Sequence, residues 1–270
     1  MEPLRPLQER TKALSADQVR RFWRQGYLHV RGLLDGDTIA ELRQEFDRVL
    51  AEARASGQFG NFADKSIADS EDHEVIALNQ MCERSLSYHR LLYDNRIVDR
   101  LEDLMGSSIQ LFHDFFLYKP PGHGGGVFWH QDNQAWQSLP PNNVTCWLAL
   151  DDADADNGAL HYIPASHRTT AGLEVDDDGR LVGIDQLFDA GDAHVVEVQT
   201  GDAIFHHCLT LHHSEPNESS RPRRAHSIIT MQVGTRCGRR PPHNSRPPTA
   251  EKDHFPVCFG HPVMRSGSAS

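Results

Sequence analysis

The sequence predicts an antiparallel β-sandwich or jelly roll preceded by helices, and three observations lead there. From residue 109 onward, short runs rich in aromatic and β-branched residues recur, each closed by Gly, Pro, Asn or Asp. Before residue 106 the texture differs, with apolar residues three and four apart as on one face of a helix. No internal repeat divides the 270 residues, a length that one all-β unit with added helices can fill. The expectation is a single domain over 1–270, with a core at about 15–235. A polar arm at 1–13 and a loose, proline-rich tail at 238–270 complete it.

Ser15 and Gln18 make a capping-box pair ahead of Val19, Phe22 and Trp23, which places a helix there with Gly26 as its stop. The run 27–34 reads as a short strand. Asp35 or Asp37 then caps a second helix whose apolar stripe is Ile39, Leu42, Phe46, Val49 and Leu50. Residues 55–72, with two glycines and several charges, read as a loop suited to a lid. A further helical stretch covers 85–105 and stops at Gly106. Strands are expected at 109–119, 144–152, 159–167, 194–199, 203–213 and 226–234, with an acidic surface insertion at 172–193.

The net charge of −11 argues against a general nucleic-acid binder, which would show a basic face. No apolar run approaches the roughly 18 residues that span a bilayer, so no membrane partner is expected. The opening MEPLRPLQERTK has no apolar core of a secretory signal. Five scattered cysteines without a C-x-x-C pair read as reduced thiols, which fits a cytoplasmic protein.

Chemistry concentrates in WHQDNQAW at 129–136, introduced by the glycine-rich turn at 122–126. On an extended strand His130 and Asp132 would project from one face, with Gln131 turned away or at the rim. A lone H-x-D is weak, because a surface His–Asp pair arises often by chance. What lifts it is a second cluster, HHCLTLHHSEPN at 206–217. Two His and one carboxylate with the other positions open form the ligand set of non-haem Fe(II) oxygenases. If 203–213 is one strand, His206 and His212 share a face and His207 and His213 the other. His212, nearer the strand end, is taken as the third ligand, with His206 or His207 behind it or in packing. A structural zinc site would need four ligands, commonly including Cys, and no such grouping is present. An oxygenase of this type also needs electrons from a co-substrate. The common one, 2-oxoglutarate, carries a distal carboxylate that a guanidinium grips with two prongs. The run Arg221-Pro222-Arg223-Arg224 supplies candidates, although two of its three arginines are expected to be a solvated patch.

These residues resemble the phytanoyl-CoA dioxygenase (PhyH-like) superfamily of Fe(II)/2-oxoglutarate oxygenases, over about 15–235. The resemblance is carried by FWRQGYLHVRGLL, YKPPG, WHQD, WLALDD, NGALHYIPASHR and GDAIFHH…LHHSEPN…RPRRA. It implies a double-stranded β-helix (jelly roll, cupin-like), mainly β with flanking α-helices. It implies Fe(II) held by His130, Asp132 and His212, the last within H-x-S at His212-His213-Ser214. It puts the 2-oxoglutarate arginine eleven residues after that His, which selects Arg223, and sets Ser214, Trp147 and Gln131 near the co-substrate. The reaction it implies consumes O2 and hydroxylates an unactivated C–H, releasing succinate and CO2. A carboxylate at 132 favours hydroxylation over halogenation, since related halogenating enzymes keep that position small.

Two other classes compete. A cupin-type metal enzyme that does not use 2-oxoglutarate would keep the His and Asp but not need Arg223. A non-catalytic binding module would be expected to lose a ligand. The substrate is expected to be a small molecule, a specialised metabolite or amino-acid-like compound, met by Asn133, Gln134 and Trp136. Nothing in the sequence fixes an oligomeric state.

Overall fold

The computed structural model describes residues 11–63, 73–169, 174–175, 181–237 and 257–259. Helix α1 (Ala16–Gln25) begins where the Ser15 hydroxyl accepts from the Gln18 N–H and the Gln18 side chain accepts from the Ser15 N–H. It ends at Gly26, whose φ of +88° closes the helix in the left-handed region. The described end of the arm is tied down, because the N–H groups of Lys12, Ala13 and Leu14 all donate to the Asp103 carboxylate. Strand β1 (Tyr27–Val30) is shorter than the expected 27–34, as the chain turns at Arg31 and Gly32. Helix α2 (Gly36–Ser56) is capped by Asp35. Strands β2 (Gly60–Asn61) and β3 (Ile76–Asn79) flank the loop expected at 55–72, of which 64–72 lies outside the described residues. The helix expected over 85–105 divides. After α3 (Met81–Arg84) come α4 (Leu86–Leu91) and α5 (Asn95–Met105). Asp94 makes the break: its carboxylate accepts from the Arg96 N–H and caps α5 afresh.

The β region follows as β4 (Ile109–Lys119), β5 (Val127–His130), the short α6 (Asp132–Trp136), β6 (Val144–Ala149) and β7 (Leu160–Tyr162). Then come β8 (His194–Val196), β9 (Ala203–His207), β10 (His212–Ser214), β11 (Arg223–Gln232) and β12 (Val257–Phe259). The larger sheet runs β1-β9-β6-β11-β4-β3-β2, with β12 beside β4, and the smaller runs β8-β7-β10-β5. Every pairing within them is antiparallel. From β4 to β11 the chain changes sheet at each step except between β7 and β8, which pair with each other. That winding is the double-stranded β-helix, a jelly roll with helices packed outside.

Further expectations change, and the strand expected over 159–167 is only Leu160–Tyr162. The run 203–213 is two strands in different sheets, because the Cys208 N–H donates to the Asn143 carbonyl and the Thr210 N–H to that of His207, turning the chain. The last strand starts at Arg223, three residues before the expected 226, which draws that arginine into the ladder. Part of the tail is ordered, since Val257–Phe259 pairs with β4; the rest of 238–270 lies outside the described residues. In the expected insertion, Leu181 and Val182 pair with Val175 and Glu174, and Val182 is exposed.

The period of a strand sorts side chains between two environments. On β6, Val144, Cys146 and Leu148 face the helices, where Phe22, Ile39, Leu42 and Phe46 join them in the main core. Phe46 stacks on Phe116 with ring centroids 4.2 Å apart, and burying such a ring contributes about 1.5–3 kcal/mol. The alternate residues, Thr145, Trp147 and Ala149, face the smaller sheet. On β9 and β11 the same alternation turns His206, Arg223, Ser227 and Ile229 into the space between the sheets. The site is built there.

Candidate active site

His130 closes β5 and His212 opens β10, and the two are directly paired across that ladder. Their rings lie 4.2 Å apart. His130 Nδ1 is 2.8 Å from the Phe128 carbonyl and His212 Nδ1 is 2.9 Å from that of Thr210. A carbonyl can only accept, so each Nδ1 carries the proton and each Nε2 presents a lone pair. Asp132 does not continue the strand. It begins α6, after Gln131 breaks the ladder, so the two-apart geometry expected of an extended segment is a strand-to-helix turn instead. The turn still brings Asp132 Oδ1 within 3.7 Å of His130 Nε2 and 3.8 Å of His212 Nε2. The metal-ligating atoms of the three residues all lie within 4.8 Å of one another. Burial and the adjacent His130 ring push the His212 imidazole well below its usual value, with Asp132 opposing, which favours the neutral ring that ligation requires. Burial by itself would raise the Asp132 carboxyl. The hydrogen bond from His206 and the surrounding imidazoles outweigh it and hold the group well below the ordinary carboxylate range.

The cavity between the sheets has a volume of about 420 Å³. Arg223 lines it, is 1% exposed, and has neither a partner for Nε nor one for Nη1. Its guanidinium lies 5.6 Å from the Trp147 ring centre. Burial pulls it down to about 10, with Asp151 opposing, so it remains a cation at neutral pH. Directly across the ladder sits Lys119, also fully buried, whose Nζ donates to the carbonyls of Ser214 and Glu215. Burial and the Arg223 charge push that ammonium well below its usual value, opposed by Glu215. Gly158 makes room for it: at φ +89°, a Cβ there would lie 2.6 Å from the Glu215 carbonyl oxygen and 3.0 Å from Lys119 Nζ. Nothing in the sequence singled out Lys119. Its place at the end of a strand facing Arg223 was the available signal.

The family model for phytanoyl-CoA dioxygenase (PhyH) matches residues 22–225. This chain belongs to that family. Among curated relatives of this PhyH protein, the ectoine dioxygenase of Halomonas elongata is 28% identical over 255 residues, covering 87% of this chain and 75% of that one. The methylphosphonate hydroxylase of Gimesia maris is 37% identical over a shorter 144 residues, 52% of this chain and 53% of that one. Solved folds agree. The crystal structure of EctD from S. alaskensis with bound Fe has a TM-score of 0.73 at 23% identity, covering 92% of this chain and 87% of that one. The epimerase SnoN in complex with Fe3+, alpha ketoglutarate and nogalamycin RO has a TM-score of 0.73 at 24% identity, covering 90% and 97%.

The PhyH chain brings the other expected residues together unevenly. Trp147 lines the cavity, with its indole Nε1 buried and unpartnered, and Ser214 lines it beside His213. Gln131 lines the cavity too, although it is buried and its amide nitrogen donates to the Leu209 carbonyl at 2.6 Å. Gln134 and Trp136 line the cavity, Trp136 against Phe112 with centroids 5.1 Å apart. Asn133 does not: its Oδ1 accepts from the Ser138 N–H and closes the α6 turn. His207 packs against Trp23, and the His213 ring lies tilted between Trp129 and His161. His113 and Asn79, unmarked in the sequence, line the cavity with His113 Nε2 3.2 Å from Asn79 Oδ1.

Proposed function

We propose that this chain is an Fe(II)/2-oxoglutarate-dependent dioxygenase that hydroxylates an unactivated C–H bond of a small molecule. The observation that carries the co-substrate is Arg223, a buried cation lining the cavity with two nitrogens unpartnered. Such a charge is costly without an anion. Two imidazoles and a carboxylate converging near it fit Fe(II). A relative named a probable alpha-ketoglutarate-dependent hypophosphite dioxygenase, 26% identical over 225 residues, supports the same reading.

Bound Fe(II) with 2-oxoglutarate and O2 supplies the oxidising power for the C–H to C–OH conversion, and the co-substrate leaves as succinate and CO2. This chain's residues do the holding. His130 and His212 offer Nε2 lone pairs and Asp132 offers Oδ1 to the metal. Arg223 grips the distal carboxylate with its planar donors, and Trp147 Nε1 adds a donor. Ser214 stands beside them on the cavity wall. Phe115, Phe128, Leu117 and Trp136 keep water from the reacting face, and Asn79, His113 and Gln134 give the substrate polar contacts. Those features suit a specialised metabolite with few polar groups. Free thiols at Cys82, Cys146 and Cys208 support a reducing, cytoplasmic setting.

The test is spectroscopic. Anaerobic protein given Fe(II) and then 2-oxoglutarate should develop a weak visible charge-transfer band, and admitting O2 should yield succinate. A band-free protein that binds Fe(II) normally and forms no succinate would return the chain to the metal enzymes that do not use 2-oxoglutarate.

A further inference from the structure

Asp132 presents its two oxygens to different surroundings. Oδ1 faces the two imidazoles of the candidate centre. Oδ2 lies 3.2 Å from Thr145 Oγ1 and 3.2 Å from His206 Nε2. An ionised carboxylate only accepts, so Thr145 donates its O–H and His206 its Nε2–H. With that proton on Nε2, the neutral His206 ring keeps a lone pair at Nδ1. The Tyr162 hydroxyl, 2.9 Å away, therefore donates to it. A directional chain of donors runs from Tyr162 through His206 to Asp132. Tyr162, His206 and Thr145 are buried at 0%, 2% and 3% exposure, the last two on the cavity wall. Tyr162 is itself fixed by stacking on Tyr27, centroids 4.5 Å apart at 15°. Because Tyr162 lies on β7 and His206 on β9, the chain also bridges the two sheets beneath the carboxylate.

Resting on the metal-centre reading above, we propose that Tyr162, His206 and Thr145 are positioning residues that make Asp132 a one-oxygen ligand. A carboxylate free to rotate can offer both oxygens to one cation. Two donors on Oδ2 in a buried site oppose that rotation, and hydrogen bonds to a charged acceptor are the strong kind. Oδ2 is thereby withheld, and the face opposite the three protein ligands stays open for co-substrate and O2. His206, whose ring lies 4.7 Å from that of His212, is kept from ligation because its Nε2 is engaged by Asp132.

The test uses Co(II), added to metal-free full-length protein, with visible bands reporting coordination and titration giving the dissociation constant. His206→Leu should weaken Co(II) binding about 10–100-fold and change the band envelope, the usual range for losing a partner of a ligand. His206→Gln places an amide N–H near the same oxygen and should restore affinity to within about threefold of wild type. Tyr162→Phe removes only the hydroxyl and keeps the ring that stacks on His212, centroids 5.6 Å apart. It should weaken binding about 3–10-fold and carries the test alone if His206→Leu does not fold. His212→Ala is the reference. If wild type binds no Co(II), or His212→Ala binds it equally well, the metal-centre reading is wrong. If His212→Ala loses Co(II) while the His206 and Tyr162 variants match wild type in affinity and bands, the metal centre stands and the positioning role is overturned.

Discussion

Arg223 carries its charge into the interior with no hydrogen-bonded carboxylate among the described residues, whereas its neighbours in sequence do not. Arg221 pairs with Asp154 at the surface, and Arg224 with Asp151 and Asp47. Three arginines within four residues therefore differ in what they can do, and kinetics should separate them. Losing one partner of a buried charge pair costs about 3–5 kcal/mol, and about 1.4 kcal/mol is tenfold in affinity. Arg223→Ala should raise KM for 2-oxoglutarate by roughly two to three orders of magnitude while iron content stays near normal. Arg223→Lys should recover only part of this, since an ammonium lacks the two-pronged fork. Arg221→Ala and Arg224→Ala should leave that KM unchanged. Equal effects from all three would reduce Arg223 to one member of a basic patch. The resemblance singled out this arginine by its distance from His212, yet its burial and its opposition to Lys119 became visible only with strand register.

Some elements were legible from their turn and cap residues, although the turn at Gly32 cut β1 short inside the expected 27–34. Ser15 and Gly26 bound α1 and Asp35 caps α2 as expected, and β4 covers the expected 109–119. Where breaks lacked Gly or Pro they were not: the run 203–213 offers no such marker, and its turn is made by backbone hydrogen bonds. The Asp94 cap was readable but hidden inside a continuous helical period. One tie between elements was invisible until β4 met β11. Asp114 on β4 accepts from His226 on β11 at 3.0 Å and from the Cys82 N–H of α3 at 2.9 Å. Burial alone would raise that carboxyl, but the His226 hydrogen bond and charge hold it below its usual value. A depressed folded value means the contribution is fully present above the unfolded carboxylate range near 3.9 and is lost as pH falls through the folded value. Asp114→Asn should lower unfolding free energy at neutral pH by about 3–5 kcal/mol. It should also flatten the loss of stability below about pH 4. Denaturant unfolding across pH checks both. An acid limb as steep as wild type's would assign that limb to other carboxylates.

At the scale of the whole molecule, the residues proposed to hold metal and co-substrate come from both sheets. His130 and His212 stand on the smaller sheet, Asp132 on the turn leaving it, and Trp147 and Arg223 on the larger. The jelly-roll texture and the His and Asp residues were legible in the sequence. Their meeting was not, because it depends on a winding that no local pattern encodes. Filling the site therefore ties the two sheets together, and anything bound only by the folded state stabilises it. At a hundredfold excess over its dissociation constant a ligand contributes about 2.7 kcal/mol, and each kcal/mol moves Tm by about 2–4 °C in proteins near this size. Adding 2-oxoglutarate to metal-loaded wild type under nitrogen should raise Tm by roughly 5–10 °C beyond the metal alone. The increment should vanish in Arg223→Ala, which keeps its response to metal, and both increments should vanish in His212→Ala. A 2-oxoglutarate increment that survives in metal-free wild type would mean the co-substrate binds through Arg223 alone. One that survives in Arg223→Ala would shift its anchor to Lys119.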